Sequence, residues 1–170
     1  MTPNARSEPA HHPLVAEVLR RPQWRPRPFT RALTRVSRGT REVVRSTNIL
    51  EREWHLIAAA ALRSGLPLWV VLGDSISQGV GATSLARTWV ARIAGALEAD
   101  GRAVGVVNVS RSGARGHHVR TDQLDLIGHL EQRPVLVTCA VGSNDMMRNP
   151  LPHSVAARVT AVVEELPEAS

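Results

Sequence analysis

Three short polar segments of the sequence carry residue types that suit nucleophilic catalysis, and each of them follows an apolar run. They are Gly-Asp-Ser at residues 73–75, a stretch at 108–113 that ends in Gly113, and Gly-Ser-Asn-Asp at 142–145. If the apolar runs are parallel strands, their carboxyl ends meet at one edge of a sheet, where ligands bind in open α/β folds. Ser75 would then lie where a strand turns into a helix, with its backbone N–H facing any negative charge that develops nearby.

Each segment also has an ordinary structural interpretation. Ser75 could be a helix cap, Gly113 a turn residue, and Asn144 part of a hydrogen-bonded loop before Pro150. Taken singly, these interpretations are favoured. The occurrence of all three segments at predicted strand ends favours a shared catalytic site instead.

Together the segments resemble the conserved blocks of the SGNH (GDSL-like) hydrolase family. GDSISQG at residues 73–79 is similar to the family's GDS block, Gly113 to its glycine block, and GSND at residues 142–145 to its GxND block. The resemblance covers roughly residues 67–166. It implies a carboxylic ester hydrolase without cofactor or metal, acting on a small-molecule ester of the esterase, lipase or lysophospholipase type. The resemblance further implies that Ser75 attacks the ester carbonyl, and that the N–H of Ser75, the N–H of Gly113 and the side-chain amide of Asn144 bind the oxyanion.

The sequence departs from this family in its base. A nucleophilic serine needs an adjacent base, which the family supplies from an Asp-x-x-His block, and no such block follows Asp145. The chain is therefore expected to be truncated before that block, or to be a catalytically silent binding module of the same fold. His117 and His118 follow Gly113, and contact with solvent or substrate is expected of them rather than a role as base. With Asp122 they do not form a convincing metal site.

The elements that would position these residues alternate between strand and helix. Strands are predicted at 68–72, 103–109 and 134–141, and helices at 85–99, 119–130 and 154–166, the last with Ser154 as its cap. This alternation is typical of a doubly wound α/β fold. With the family resemblance, it predicts a flavodoxin-like three-layer α/β/α sandwich with a parallel sheet, lacking its C-terminal part.

The N-terminal part differs in composition. Residues 1–39 are rich in Arg and Pro and are predicted to be a disordered arm, residues 40–65 to be an amphipathic helix, and residues 66–170 to be the hydrolase domain. Residues 1–63 hold 12 Arg against 5 acidic residues, so the basic charge belongs to this part. Nucleic-acid binding is nevertheless not expected, since the arm offers only Trp24 and Phe29 for stacking.

Composition also bears on the location of the protein and excludes some functional classes. Cys139 is the one cysteine, which excludes an intramolecular disulfide and favours a reducing, cytoplasmic location. No apolar run approaches the length of a membrane span. The sequence has no lysine, so a Walker-type phosphate loop is excluded. The particular ester and the oligomeric state are not predicted.

Overall fold

A computed structural model describes residues 38–148 and 151–166 of the protein. Of the arm predicted at residues 1–39, residues 1–37 lie outside the described ranges. The division into an arm, a helix and a domain stays a prediction.

The described residues fold around a three-stranded parallel sheet. Its strands are β1 (Leu68–Gly73), β2 (Gly105–Asn108) and β3 (Leu136–Ala140), in the order β2-β1-β3. Val70 of β1 lies opposite Val107 of β2 and Val137 of β3. The chain thus leaves β1 to one side and then crosses to the other, which places a topological switch point at the carboxyl end of β1. The predicted α/β fold with a parallel sheet is confirmed.

Helices connect the strands and cover the sheet. In chain order they are α1 (Arg38–Ser64), α2 (Ser75–Gln78), α3 (Trp89–Ala99), α4 (Gly116–His118), α5 (Leu124–Gly128), α6 (Ser143–Arg148) and α7 (Pro152–Glu164). A single 3-10 turn, Leu85–Arg87, precedes α3, and a π-helical turn, Val119–Gln123, joins α4 to α5. No helix in the described part of the chain is long and apolar enough to cross a membrane.

Two predicted helix starts are wrong in detail. The helix predicted at 85–99 is interrupted at Thr88, whose backbone is extended and whose side chain caps α3 by accepting a hydrogen bond from the N–H of Ala91. Ser154 is not the cap of the last helix. That helix begins at Pro152, where a missing N–H costs nothing, and Leu151 occupies the cap position.

The two faces of β1 bury separate apolar clusters. Leu68, Val70 and Leu72 pack on one face with residues of β2, α5 and α7, and Trp69 and Val71 pack on the other with α3. Every residue of β1 is buried, which explains why its sequence is a continuous apolar run and not an alternation of apolar and polar residues.

Helix α1 contributes to both clusters. Its Ala58 and Ala61 belong to the first cluster, and its Leu50 and Trp54 to the second. The methyl group of Ala61 lies so close to Gly105 that a Cβ there would be 3.1 Å from it. Helix α1 is therefore packed directly against β2.

Candidate active site

Ser75 is the first residue of α2, at the carboxyl end of β1. The preceding residue, Asp74, is fully buried and caps α2 by accepting a hydrogen bond from the N–H of Ile76 at 2.9 Å. Ser75 itself is half-buried. Neither its hydroxyl nor its N–H forms a hydrogen bond with any residue in 38–148 or 151–166. Both groups are thus available to a ligand.

The turn from β1 into α2 requires Gly73. Its φ of 124° lies in the region that favours glycine, and a Cβ there would be 2.1 Å from the carbonyl oxygen of Ala140. The buried side chain of Gln123 holds the same residue at both ends. Its Oε1 accepts from the N–H of Gly73 at 2.7 Å, and its Nε2 donates to the carbonyl of Gly73 at 2.9 Å.

Gly113 lies in a tight turn after β2. The N–H of Ala114 donates to the carbonyl of Arg111 at 3.0 Å, and Gly113 adopts a φ of 76°, as the third residue of such a turn can. Gly113 is exposed, and its N–H has no hydrogen bond among the described residues. Ser112 fastens the turn, because its N–H and hydroxyl donate to Oε1 of the buried Gln78 at 3.0 and 2.8 Å.

Asn144, in α6 after β3, links these two places. Its Nδ2 donates to Oδ2 of Asp74 at 3.1 Å and to the carbonyl of Ala114 at 3.0 Å. The orientation of the Asn144 side-chain amide is fixed, because exchanging Nδ2 and Oδ1 would place an acceptor oxygen against two other acceptors. The structure therefore joins Asn144 to the immediate neighbours of Ser75 and Gly113.

Further hydrogen bonds brace the three segments. Asp74 Oδ2 also accepts from the hydroxyl of Ser143 at 2.7 Å. The buried Asp145 accepts from the N–H of Gly116 at 2.9 Å through Oδ2, while its Oδ1 has no hydrogen bond and lies 3.6 Å from Nη1 of Arg158. Both aspartates act as braces between segments that are distant in the sequence.

The two histidines after the turn make local contacts. Nδ1 of His118 accepts from the N–H of Arg115 at 3.1 Å, and its ring lies 3.8 Å from that of His117. Burial, together with the charges of His117, Arg111 and Arg115, lowers the pKa of His118 below its usual value. Nδ1 is the acceptor in the hydrogen bond from Arg115. In the described ranges, no group of three or more His, Cys, Asp or Glu side chains is arranged to hold a metal.

Two other features, the thiol of Cys139 and an apolar cleft, are not part of the candidate site. Burial, aided by the charge of Asp74, raises the pKa of the Cys139 thiol in β3 to about 11, so the thiol is not a nucleophile at neutral pH. A cleft of about 290 Å³ between α1, α3 and β2 is lined mainly by apolar side chains, among them Trp54 and Leu85. It includes none of the three predicted site residues.

Sequence reasoning missed the residues that hold α2 in place. Trp54 of α1 donates from Nε1 to the carbonyl of Gln78 at 3.0 Å, and Trp89 of α3 donates to the carbonyl of Ile76 at 2.9 Å. The buried Gln78 and Gln123 were not singled out either. For Gln78, a polar residue inside the GDS block was an available signal, whereas Gln123 and the two tryptophans carry none in the sequence.

Known proteins resemble this chain in sequence and in fold. The GDSL-like Lipase/Acylhydrolase family profile matches residues 71–170. Two solved structures are similar in fold, esterase AlinE4, described as an SGNH-hydrolase family esterase, and a mutant of the same esterase. Each has a TM-score of 0.51 and 20% sequence identity, over 61% of this chain and 54% of the other.

This chain thus spans about half the length of the solved esterase chains. A search of curated proteins gave no significant match. The family profile covers more than half of the chain, including the segments of Ser75, Gly113 and Asn144. The chain belongs to the GDSL-like lipase/acylhydrolase family.

Proposed function

We propose that this chain carries the nucleophile and the oxyanion-binding groups of a serine hydrolase that cleaves a small carboxylic ester. Ser75 is the nucleophile, and the N–H of Ser75, the N–H of Gly113 and Nδ2 of Asn144 bind the oxyanion. One observation supports this most: the amide of Asn144 is hydrogen-bonded to Asp74 and to Ala114, the neighbours of the other two residues.

The free backbone groups support the same assignment. The N–H of Ser75 and the N–H of Gly113 have no hydrogen-bond partner in the described part of the chain, and the hydroxyl of Ser75 has none either. Such preorganised donors stabilise charge that develops on a carbonyl oxygen, and the loss of one typically costs about 3–4 kcal/mol of transition-state stabilisation.

The reaction follows from these positions. Oγ of Ser75 attacks the ester carbonyl carbon, and the carbonyl oxygen becomes the bound oxyanion. The proton of Ser75 passes to a general base, a role that we assign to no residue in 38–148 or 151–166. When the tetrahedral intermediate collapses, the alcohol leaves with the proton, and an acyl group remains on Ser75. Water then attacks this acyl group in the same way, and the carboxylic acid is released.

Asn144 has to exchange one hydrogen bond during this reaction, because both protons of its Nδ2 are engaged. The bond to Asp74 is the easier one to share, since Asp74 keeps the hydroxyl of Ser143 and the N–H of Ile76 as donors. Ala114 is buried, and its carbonyl would lose its hydrogen bond to the amide. We therefore expect the proton directed at Asp74 to turn to the oxyanion.

A neutral fluorophosphonate labels a serine that a base activates, so treatment of the full-length protein with this probe tests nucleophile and base together. The proposal predicts one phosphonyl adduct, located at Ser75 by peptide mass spectrometry. Ser75→Ala abolishes it, whereas Ser84→Ala keeps it, because Ser84 is exposed and caps no helix through its side chain. Asn144→Ala slows labelling by about 10²–10³-fold, the effect of losing one oxyanion donor.

Circular dichroism melts of each variant separate loss of chemistry from loss of fold. A folded wild-type chain that stays unlabelled at Ser75 would contradict the proposal. It would instead favour a binding module of the same fold that lacks the base.

A further inference from the structure

A positively charged rim borders the Gly113 turn. It consists of Arg111, Arg115, His117 and His118, and we call these four residues the cationic rim. Arg111 is paired with Asp122, whose Oδ2 lies 2.9 Å from Nη2 of Arg111. Arg115, in contrast, forms no ion pair with an acidic residue in the described ranges.

The guanidinium of Arg115 is only partly satisfied. Its Nη2 lies 3.3 Å from Nε2 of His117, and its Nε is buried without a hydrogen bond. A guanidinium offers five N–H donors in a planar arrangement that matches a carboxylate or a phosphate. Because Nε is buried, an anionic ligand would bind through the Nη groups, which among the described residues contact only Nε2 of His117.

The backbone fixes the cationic rim beside the candidate active site. Besides the two bonds from Ser112 to Gln78, residues 111–116 are tied to it by the N–H of Arg111 to the carbonyl of Gly73 at 3.1 Å, Nδ2 of Asn144 to the carbonyl of Ala114 at 3.0 Å, and the N–H of Gly116 to Asp145 at 2.9 Å. Arg115 is therefore held one residue beyond the carbonyl that receives the Asn144 amide.

The electrostatic pattern agrees with an open anion site. Burial and then the charges of His117, Arg111 and Arg115 lower the pKa of His118. Asp122 is the one acidic group that acts in the opposite direction on this imidazole. The two guanidiniums carry permanent positive charge, and the carboxylate of Asp122 pairs with that of Arg111.

We infer that Arg115, assisted by His117, binds an anionic group of the substrate, a carboxylate or a phosphate, while the ester carbonyl lies at Ser75. This inference rests on the proposed function, because it takes Ser75 as the position of the carbonyl. It assigns the enzyme to esters of acidic molecules, such as half-esters of dicarboxylic acids or phosphorylated alcohols, rather than to neutral lipids.

Binding of succinate and of inorganic phosphate to the 170-residue chain tests the anion site without catalysis. Two-dimensional NMR titrations at constant ionic strength compare the wild type with Arg115→Gln and Arg92→Gln. Arg92 is an exposed arginine of α3, so its replacement changes the net charge equally.

We expect at least one anion to shift the amides of residues 113–118, and Arg115→Gln to weaken its binding about tenfold, as the loss of a charged hydrogen bond does. Arg92→Gln leaves the binding unchanged.

Protection of Ser75 then tests where the anion sits. The bound anion is expected to slow fluorophosphonate labelling of the wild type and of Arg92→Gln, but not of Arg115→Gln at the same concentration. The anion that binds more tightly identifies a carboxylate or a phosphate as the preferred group.

The two proposals fail in different ways. If Ser75 is labelled but neither anion binds, or if Arg115→Gln binds as well as Arg92→Gln, the anion site is refuted while the hydrolase proposal stands. If an anion binds through Arg115 without slowing the labelling, the site is not part of the substrate pocket, and the inference is wrong. If an anion binds through Arg115 and Ser75 is never labelled, the hydrolase proposal fails and the anion site alone remains.

Discussion

Replacement of Gln123 by Met tests whether a buried amide holds the turn that carries Ser75. Gln123 is almost fully buried, accepts from the N–H of Gly73 at 2.7 Å and donates to the carbonyl of Gly73 at 2.9 Å. Methionine has a similar length and volume and lacks both polar groups. The substitution therefore removes the hydrogen bonds with little change in packing.

The cost can be worked out group by group. The N–H of Gly73 has no other partner and becomes a buried unsatisfied donor, at about 1–3 kcal/mol. The carbonyl of Gly73 keeps the N–H of Arg111 at 3.1 Å, so the second loss costs only about 0.5–1.5 kcal/mol. We expect Gln123→Met to lower the free energy of unfolding by about 1.5–4.5 kcal/mol.

Urea unfolding followed by circular dichroism measures this free energy, and amide hydrogen exchange at Gly73 reports the local bond. The matched control is Gln132→Met, which changes an exposed glutamine and should stay within about 0.5 kcal/mol of the wild type. A loss below about 0.5 kcal/mol for Gln123→Met, with the Gly73 amide still protected from exchange, would refute the reasoning.

Two further predictions follow from shifted pKa values. The lowered pKa of His118 means that protonation favours the unfolded chain, so stability is full above about pH 6.5 and falls as the pH drops below it. The decrease in melting temperature between about pH 7.5 and 5.5 should be smaller in His118→Asn, which does not titrate, and an equal decrease in both proteins would contradict this. Since burial raises the pKa of Cys139 to about 11, iodoacetamide at pH about 8 should alkylate the native protein far more slowly than the urea-unfolded one. Equal rates would show that the thiol is not shielded.

The strands and the site segments could be predicted because their signals are local. An apolar run on both faces, as in β1, indicates a strand between two layers. Ser75, Gly113 and Asn144 each follow such a run. The order of the strands then fixes which strand ends lie together.

What could not be predicted depends on contacts between distant residues. Thr88 looks like an ordinary residue within a helical stretch, and only its extended backbone reveals it as a cap. The side chain of Gln123 is hydrogen-bonded to Gly73, 50 positions earlier, and it is placed there by a π-helical turn that no sequence pattern predicts. Trp54 seemed to belong to a separate helix, yet it holds the carbonyl of Gln78 in α2.

The most direct test is a crystal structure of the protein phosphonylated at Ser75. The phosphonyl oxygen occupies the place of the oxyanion, and we predict distances of about 2.7–3.1 Å from it to the N–H nitrogens of Ser75 and Gly113 and to Nδ2 of Asn144. An adduct whose oxygen points to solvent, with Gly113 and Asn144 beyond hydrogen-bond distance, would contradict the proposed convergence of the three donors.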